Sequence, residues 1–170
     1  SIKATVSSQY ISALLLIAPS LKNGLELTLE GEITSIPYIK MTLSLLNQLG
    51  VKTTFEHNII TVEHAKSGIS PITLTVESDW SSASYFYSIV ALSEIGTEIT
   101  LSSYKKKSLQ GDSVLVEIYK KLGVKTTFNN NSITLSNQQS LTSNFKLQTL
   151  NLINAPDIAQ TIAVTCFGLG

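Results

Sequence analysis

The chain has 170 residues, 43% of them hydrophobic and 14% charged, with zero formal net charge and four prolines, a composition that excludes disorder and supplies a packed core for one domain or two halves. Neutral charge with no basic stretch beyond Lys105–Lys107, read as a solvated loop, argues against a nucleic-acid partner. No apolar run reaches the roughly 18 residues of a membrane helix, and a single cysteine, Cys166, excludes an intrachain disulfide and suits a reducing cytoplasm.

In chain order, the apolar periodicity predicts a helix over 7–18, a strand over 25–29, a helix over 37–49 and a hairpin over 53–62. The stretch 65–71, with Gly, Ser and Pro, reads as a linker. Beyond it, 72–77 alternates as a half-buried strand, 81–92 is a helix whose serines can cap its start, and 98–102 is a strand. A helix over 111–122 places Val114, Leu115, Ile118 and Leu122 at core spacing and ends on Gly123. A hairpin over 126–135 turns at Asn129-Asn130-Asn131. A strand over 145–153 and a helix over 157–167 follow.

The heptapeptide Leu-Gly-Val-Lys-Thr-Thr-Phe occurs at 49–55 and at 122–128, an offset of 73, and Ser7-Ser8 and Ser81-Ser82 open apolar runs 74 apart. The chain is therefore an internal repeat of an α/β (α+β) unit, βαβαββ. Its first copy is expected to lack the leading strand, its second to be complete, and its third to hold only a strand and a helix. Because such an architecture does not stop after one helix, the chain is expected to be a piece of a longer protein. Its first residues have no signal-peptide layout, and a preceding segment is expected to be missing.

The chemistry concentrates at the starts of the helices that lead each unit, where free N–H groups and the helix dipole favour anions. Ser7, Ser8 and Gln9 put two hydroxyls and an amide at the first such start, which suits a phosphate or a polyhydroxylated ring; plain capping is the alternative. Asp157, with Gln160-Thr161 a turn later, is either a helix cap or a general base aimed into a cleft. Asp79 has the same two readings, and Asp112 is read as an ordinary cap. His57 and His64 flank a surface hairpin without metal-ligand spacing, Cys166 reads as core packing, Tyr85–Tyr87 in part as core, and Trp80 as exposed. All twelve basic residues are lysines, so the bidentate arginine clamps that phosphate and carboxylate ligands favour are not in this chain.

Five strings occur in order: Val-Ser-Ser-Gln-Tyr-Ile-Ser-Ala-Leu-Leu (6–15), Ser-Ile-Pro-Tyr-Ile (35–39), Glu-Ser-Asp-Trp-Ser-Ser-Ala-Ser-Tyr-Phe (77–86), Ser-Leu-Gln-Gly-Asp (108–112) and Pro-Asp-Ile-Ala-Gln-Thr-Ile-Ala (156–163). Together they resemble the middle of the 5-enolpyruvylshikimate-3-phosphate synthase family, the 3-phosphoshikimate 1-carboxyvinyltransferases of aromatic amino-acid biosynthesis. The resemblance implies the two-lobed enolpyruvyl transferase fold, with three such units per lobe and a ligand cleft between lobes. Residues 1–76 would finish the first lobe and 77–170 would begin the second. It implies transfer of the enolpyruvyl group of phosphoenolpyruvate to a hydroxyl of shikimate 3-phosphate, without cofactor or metal, by a cytoplasmic enzyme, monomeric at full length, with no membrane or nucleic-acid partner. Matched residue by residue, Ser7 and Ser8 would hold the phosphate of shikimate 3-phosphate, Gln9 would touch both substrates and Ser35 would add a hydroxyl to the phosphate. Tyr38 would wall the ring, and Asp157 would bind the target hydroxyl and accept its proton. The family's N-terminal Lys-Ser and Arg, its other cationic clamps and a later acidic partner are absent, so this chain alone is expected to be inactive. The alternatives are the sister enzyme acting on a UDP-amino sugar, less well matched by these strings, and a noncatalytic repeat domain.

Overall fold

The structure, a computed structural model, describes residues 1–5, 7–65, 71–138 and 149–170. The chain divides into two compact units, Ser1–Leu74 and Thr75–Gly170. In the first, β1 (Ile2–Lys3) leads to α1 (Ser8–Ile17), β2 (Leu25–Glu30), α2 (Ile36–Gln48) and the hairpin β3 (Thr53–Glu56) and β4 (Ile59–Val62). The sheet order is β1-β2-β4-β3, with β1 parallel to β2 and the other two pairings antiparallel. β1, β2 and β3 thus run one way, and α1 and α2 are both crossovers between parallel strands. A crossover helix runs back against its strands, so α1 and α2 start at the same end of the sheet. Ile11 and Leu15 of α1 and Ile39, Leu43 and Leu46 of α2 are buried against Leu27, Leu29, Ile60 and Val62 of the sheet. Thr42 Oγ1 lies 3.3 Å from Ser12 Oγ across the two helices.

The second unit repeats the plan with α3 (Trp80–Leu92), β5 (Glu98–Ser102), α4 (Leu115–Lys121), β6 (Val124–Asn129) and β7 (Ser132–Asn137), then adds α5 (Ala159–Leu169). Its sheet order is β5-β7-β6, antiparallel throughout. The hairpin register is shared between units: Thr53↔Val62 and Phe55↔Ile60 in the first become Thr126↔Leu135 and Phe128↔Ile133 in the second. The two heptapeptides also share their helix exit. Leu49 and Leu122 are the residues after the last helical turn, and Gly50 and Gly123 follow in the left-handed region at φ 84° and 88°, where a side chain would be strained. On α3, Trp80, Ala83, Ser84, Tyr87, Val90 and Ala91 form one buried stripe at helical spacing. α5 packs on α3 so closely that a Cβ on Gly168 would come within 2.7 Å of Leu92 Cδ2.

Four expectations are corrected. The first copy does have its leading strand: β1 is two residues long, too short for alternation to reveal, and Ala4 N–H extends it with a 2.8 Å bond to Glu30 O. Conversely, 72–77 forms no strand. Ser78 N–H bonds to Ser103 O at 2.7 Å, but the Lys105 N–H is taken by the Glu77 side chain, and Ile72, Leu74 and Val76 are exposed. The helix expected over 111–122 opens as a 3₁₀ turn, Gly111–Val114. Trp80 is fully buried, edge-on to Tyr104 with ring centroids 5.0 Å apart. The linker at 65–71 and the strand at 145–153 fall largely outside the described residues, and 149–153 is not a strand.

Candidate functional site

In the first unit, the common start of α1 and α2 gathers Ser7, Ser8, Gln9, Ser35 and Tyr38. Ser7 is the N-cap of α1, its hydroxyl accepting the Gln9 N–H at 3.3 Å, and no acidic residue stands in the first turn. Ser7 and Gln9 are exposed and Ser8 half-buried. A capping hydroxyl satisfies one of the first-turn N–H groups and leaves the others pointing outward, so hydroxyls, an amide and backbone donors share one patch.

Ser35 stands before α2 with φ 55° and ψ 35°, the left-handed region, which costs a non-glycine residue on the order of 1 kcal/mol. It is buried, and its side chain makes no capping bond. The next residues do the work of starting the helix: Pro37 presets the first turn, and Tyr38 N–H bonds to Ser35 O at 3.1 Å. Tyr38 is held from below, where Thr42 Oγ1 donates to its carbonyl oxygen at 3.1 Å.

At the corresponding end of the second unit, the start of α3 meets the 3₁₀ turns Gly111–Val114 and Pro156–Ile158. Asp79 is the N-cap of α3, accepting from Ser81 N–H at 2.9 Å and from the Ser82 hydroxyl at 2.7 Å. Partial burial pushes its carboxyl upward, but the bonds from Ser82 and Ser81 together hold it below the ordinary carboxylate value. Asp112, expected to be a helix cap, is instead fully buried and receives the hydroxyl proton of Ser81. The 3₁₀ turn explains the difference: its cap position belongs to Gln110, which makes no side-chain cap bond and turns Asp112 inward.

Gln110 and Glu77 complete this end. Gln110 Oε1 accepts the Trp80 N–H and its Nε2 donates to Ser78 O, both at 2.9 Å. Glu77 accepts from Trp80 Nε1, Lys105 N–H and Ser108 Oγ, each at 2.9 Å. Two of the five sequence strings are therefore one hydrogen-bonded knot, and Asp79 in it is a structural cap.

Asp157 is different. It lies exposed in the 3₁₀ turn Pro156–Ile158 that leads into α5, beside the buried Ile158; the cap positions belong to Ala155 and Ile158, and neither start has a side-chain cap bond. The capping reading is thus set aside by geometry. One turn on, Thr161 is hydrogen-bonded to Ser84 of α3 at 3.1 Å.

His57 sits at an exposed turn at φ 54°, His64 bonds through Nδ1 to Leu21 O at 2.9 Å, and Cys166 packs half-buried against the second core. Among the described residues no three His, Cys, Asp or Glu side chains converge to hold a metal, and no helix is long and apolar enough to cross a membrane.

The comparisons bear on what these ends serve. Residues 1–168 match the family model described as EPSP synthase (3-phosphoshikimate 1-carboxyvinyltransferase). A Bacteroides fragilis protein named 3-phosphoshikimate 1-carboxyvinyltransferase is 44% identical over 168 residues, covering 98% of this chain and 39% of that protein. Proteins of the same name from Methanosphaera stadtmanae and, as a chloroplastic form, from Nicotiana tabacum are each 33% identical, covering 96% of this chain and 38% and 32% of theirs. The chain thus spans about two fifths of the length of the bacterial and archaeal relatives named here. With the family model matching nearly the whole chain and the repeat geometry in agreement, the chain belongs to the EPSP synthase family.

Proposed function

We propose that the whole protein transfers the enolpyruvyl group of phosphoenolpyruvate to a hydroxyl of shikimate 3-phosphate, releasing phosphate, and that this chain supplies much of the shikimate 3-phosphate site. Residues 1–76 complete one lobe and 77–170 begin the other. Ser7, Ser8 and Ser35 hold the phosphate with the free N–H groups of α1, Gln9 reaches both substrates, and Tyr38 lies against the ring. In the reaction the substrate hydroxyl oxygen bonds to the enolpyruvyl carbon, the phosphate leaves, and Asp157 takes the hydroxyl proton. The enzyme works as a cytoplasmic monomer on small-molecule substrates.

The observation that supports this most is the setting of the candidate groups: exposed Ser7 and Gln9 and half-buried Ser8 at a helix start with no acid in its first turn, and an exposed carboxylate with no capping duty. A carboxylate in a structural role would be expected to take a bond, as Asp79 and Asp112 do. The test is Asp157→Asn in the full-length enzyme. We expect kcat to fall by about 10²–10⁴, the range of general-base catalysis, with KM little changed and stability within about 0.5 kcal/mol, as for an exposed site without a structural bond. Normal turnover would remove Asp157 from the mechanism. The 170-residue chain by itself should release no phosphate above background from the two substrates, because the cationic groups that stabilise the developing charge are missing.

A further inference from the structure

We propose that Thr161 and Ser84 are positioning residues that set the place of Asp157 through the α3–α5 interface; this rests on the assignment of Asp157 above. No side chain caps the Asp157 turn or α5; what holds the turn is the apolar burial of Ala155 and Ile158 on either side of Asp157. Its position therefore follows from where α5 lies along α3. Apolar contacts are nondirectional and fix axial position weakly, whereas hydrogen bonds between buried hydroxyls fix it sharply.

Two such levels occur, one helical turn apart. Ser84 Oγ, which donates to Ser81 O at 2.6 Å, lies 3.1 Å from Thr161 Oγ1. Thr165 Oγ1 lies 2.8 Å from each of Ser88 Oγ, Tyr119 Oη and Thr161 O. Both partners advance by four residues, from Ser84 to Ser88 and from Thr161 to Thr165, so the helices run in the same direction and keep step. Gly168 against Leu92 continues the alignment to the far end. Extrapolated one turn back, it brings Asp157 level with the first residue of α3. Ser84, Thr161 and Thr165 are all buried, at 1%, 8% and 0% exposure, so water does not substitute for their bonds.

The Ser84–Thr161 level can be probed cleanly. Thr161 Oγ1 has Ser84 as its hydrogen-bond partner, and Ser84 retains the Ser81 carbonyl when that partner is lost. Thr161→Val keeps the shape and leaves no hydroxyl stranded on α3. In the full-length enzyme we expect Thr161→Val to lower kcat about 10–10²-fold, the effect of a misplaced catalytic group, with KM for shikimate 3-phosphate within about twofold. Ser84→Ala, which cuts the same bond from the other side, should show the same split, and Thr161→Ser, which restores the hydroxyl, should recover most of the rate. The double variant Asp157→Asn/Thr161→Val should be no slower than Asp157→Asn alone, because a misplaced base that is already absent costs nothing more. Wild-type kcat in Thr161→Val, failure of Thr161→Ser to recover, or additive losses in the double variant would each overturn the positioning role while leaving Asp157 in place. Normal turnover in Asp157→Asn would overturn both together.

Discussion

The starts of α1 and α3 hold the same place in the two repeats, with Ser7 and Asp79 as their N-caps. Each carries a Ser-Ser pair, Ser7-Ser8 at the cap of one and Ser81-Ser82 inside the first turn of the other, yet their groups are engaged in opposite ways. At α1 Ser7 is exposed, Ser8 half-buried, and no acidic residue stands in the first turn. At α3 the donors are already taken: Asp79 caps the helix and binds Ser82, and the buried Asp112 takes Ser81. A helix start attracts negative charge, and the second unit satisfies that demand from within, using side chains up to 31 residues away. On the proposed reading, the repeat carries its ligand site at the start whose own acids leave the donors free.

The largest expected effect tests the open copy. Replacing Ser7 and Ser8 together by alanine in the full-length enzyme should raise KM for shikimate 3-phosphate by about 10²–10⁴, since each hydrogen bond to a charged group contributes about 1.5–3 kcal/mol. Stability should fall by no more than about 1 kcal/mol, the cost of one lost cap. Ser81→Ala at the closed copy should leave KM unchanged. A matching KM effect at both positions, read from initial rates, would erase the distinction.

Next comes Asp112. Asp112→Ala should destabilise the protein by about 2–3 kcal/mol in urea unfolding, because the half-buried Ser81 hydroxyl loses an acceptor and a cavity opens at a fully buried position. An unaffected midpoint would mean that the carboxylate is not what closes this end.

Asp112 also shows what a sequence discloses and what it does not. The repeated heptapeptide announces its own structure, since Gly50 and Gly123 leave the helix in the same conformation and Thr53–Phe55 and Thr126–Phe128 pair in the same register. Such local rules need only neighbours a few residues apart. The roles of Asp112 and Gln110 depend instead on partners 30 and 31 residues away, brought near by a 3₁₀ turn that resembles a helix start in the sequence. Trp80 looks exposed between Asp79 and Ser81 because a polar neighbourhood says nothing about the stripe it shares with Ala83, Ser84 and Tyr87 on the folded helix. The candidate residues Ser7, Ser8, Gln9 and Asp157 were legible as helix-start chemistry. Ser35 and Tyr38 came only through the resemblance, since no pattern in Ser-Ile-Pro-Tyr-Ile signals a left-handed serine.

That serine gives a smaller effect. Ser35→Gly removes the hydroxyl and relieves the left-handed backbone, whereas Ser35→Ala removes the hydroxyl and keeps the strain. The glycine variant should be more stable than the alanine variant by about 1 kcal/mol, while both bind shikimate 3-phosphate more weakly than the wild type. Equal stabilities would show that the backbone at Ser35 relaxes at no cost. Unchanged binding in both variants would take Ser35 out of the site.

The smallest effect concerns the cap that closes α3. The carboxyl of Asp79 is pushed up by partial burial and pulled further down by Ser82 and Ser81, leaving it below its ordinary 3.8. A group whose folded value is depressed contributes stability that is fully present above the unfolded value and is lost as the pH falls through the folded one. Asp79→Asn can still cap the helix but cannot supply the charge, so it isolates that contribution. Because Asp79 is exposed, solvent screening limits the gap between wild type and Asp79→Asn to about 0.5 kcal/mol at pH 6. The gap should close as the pH drops below 3.8 and the wild-type carboxyl takes up its proton. Urea unfolding of both proteins across that range measures it directly. A gap that stays constant down to low pH would mean that the charge of Asp79 contributes nothing, and that Asp112 alone accounts for the closed start of α3.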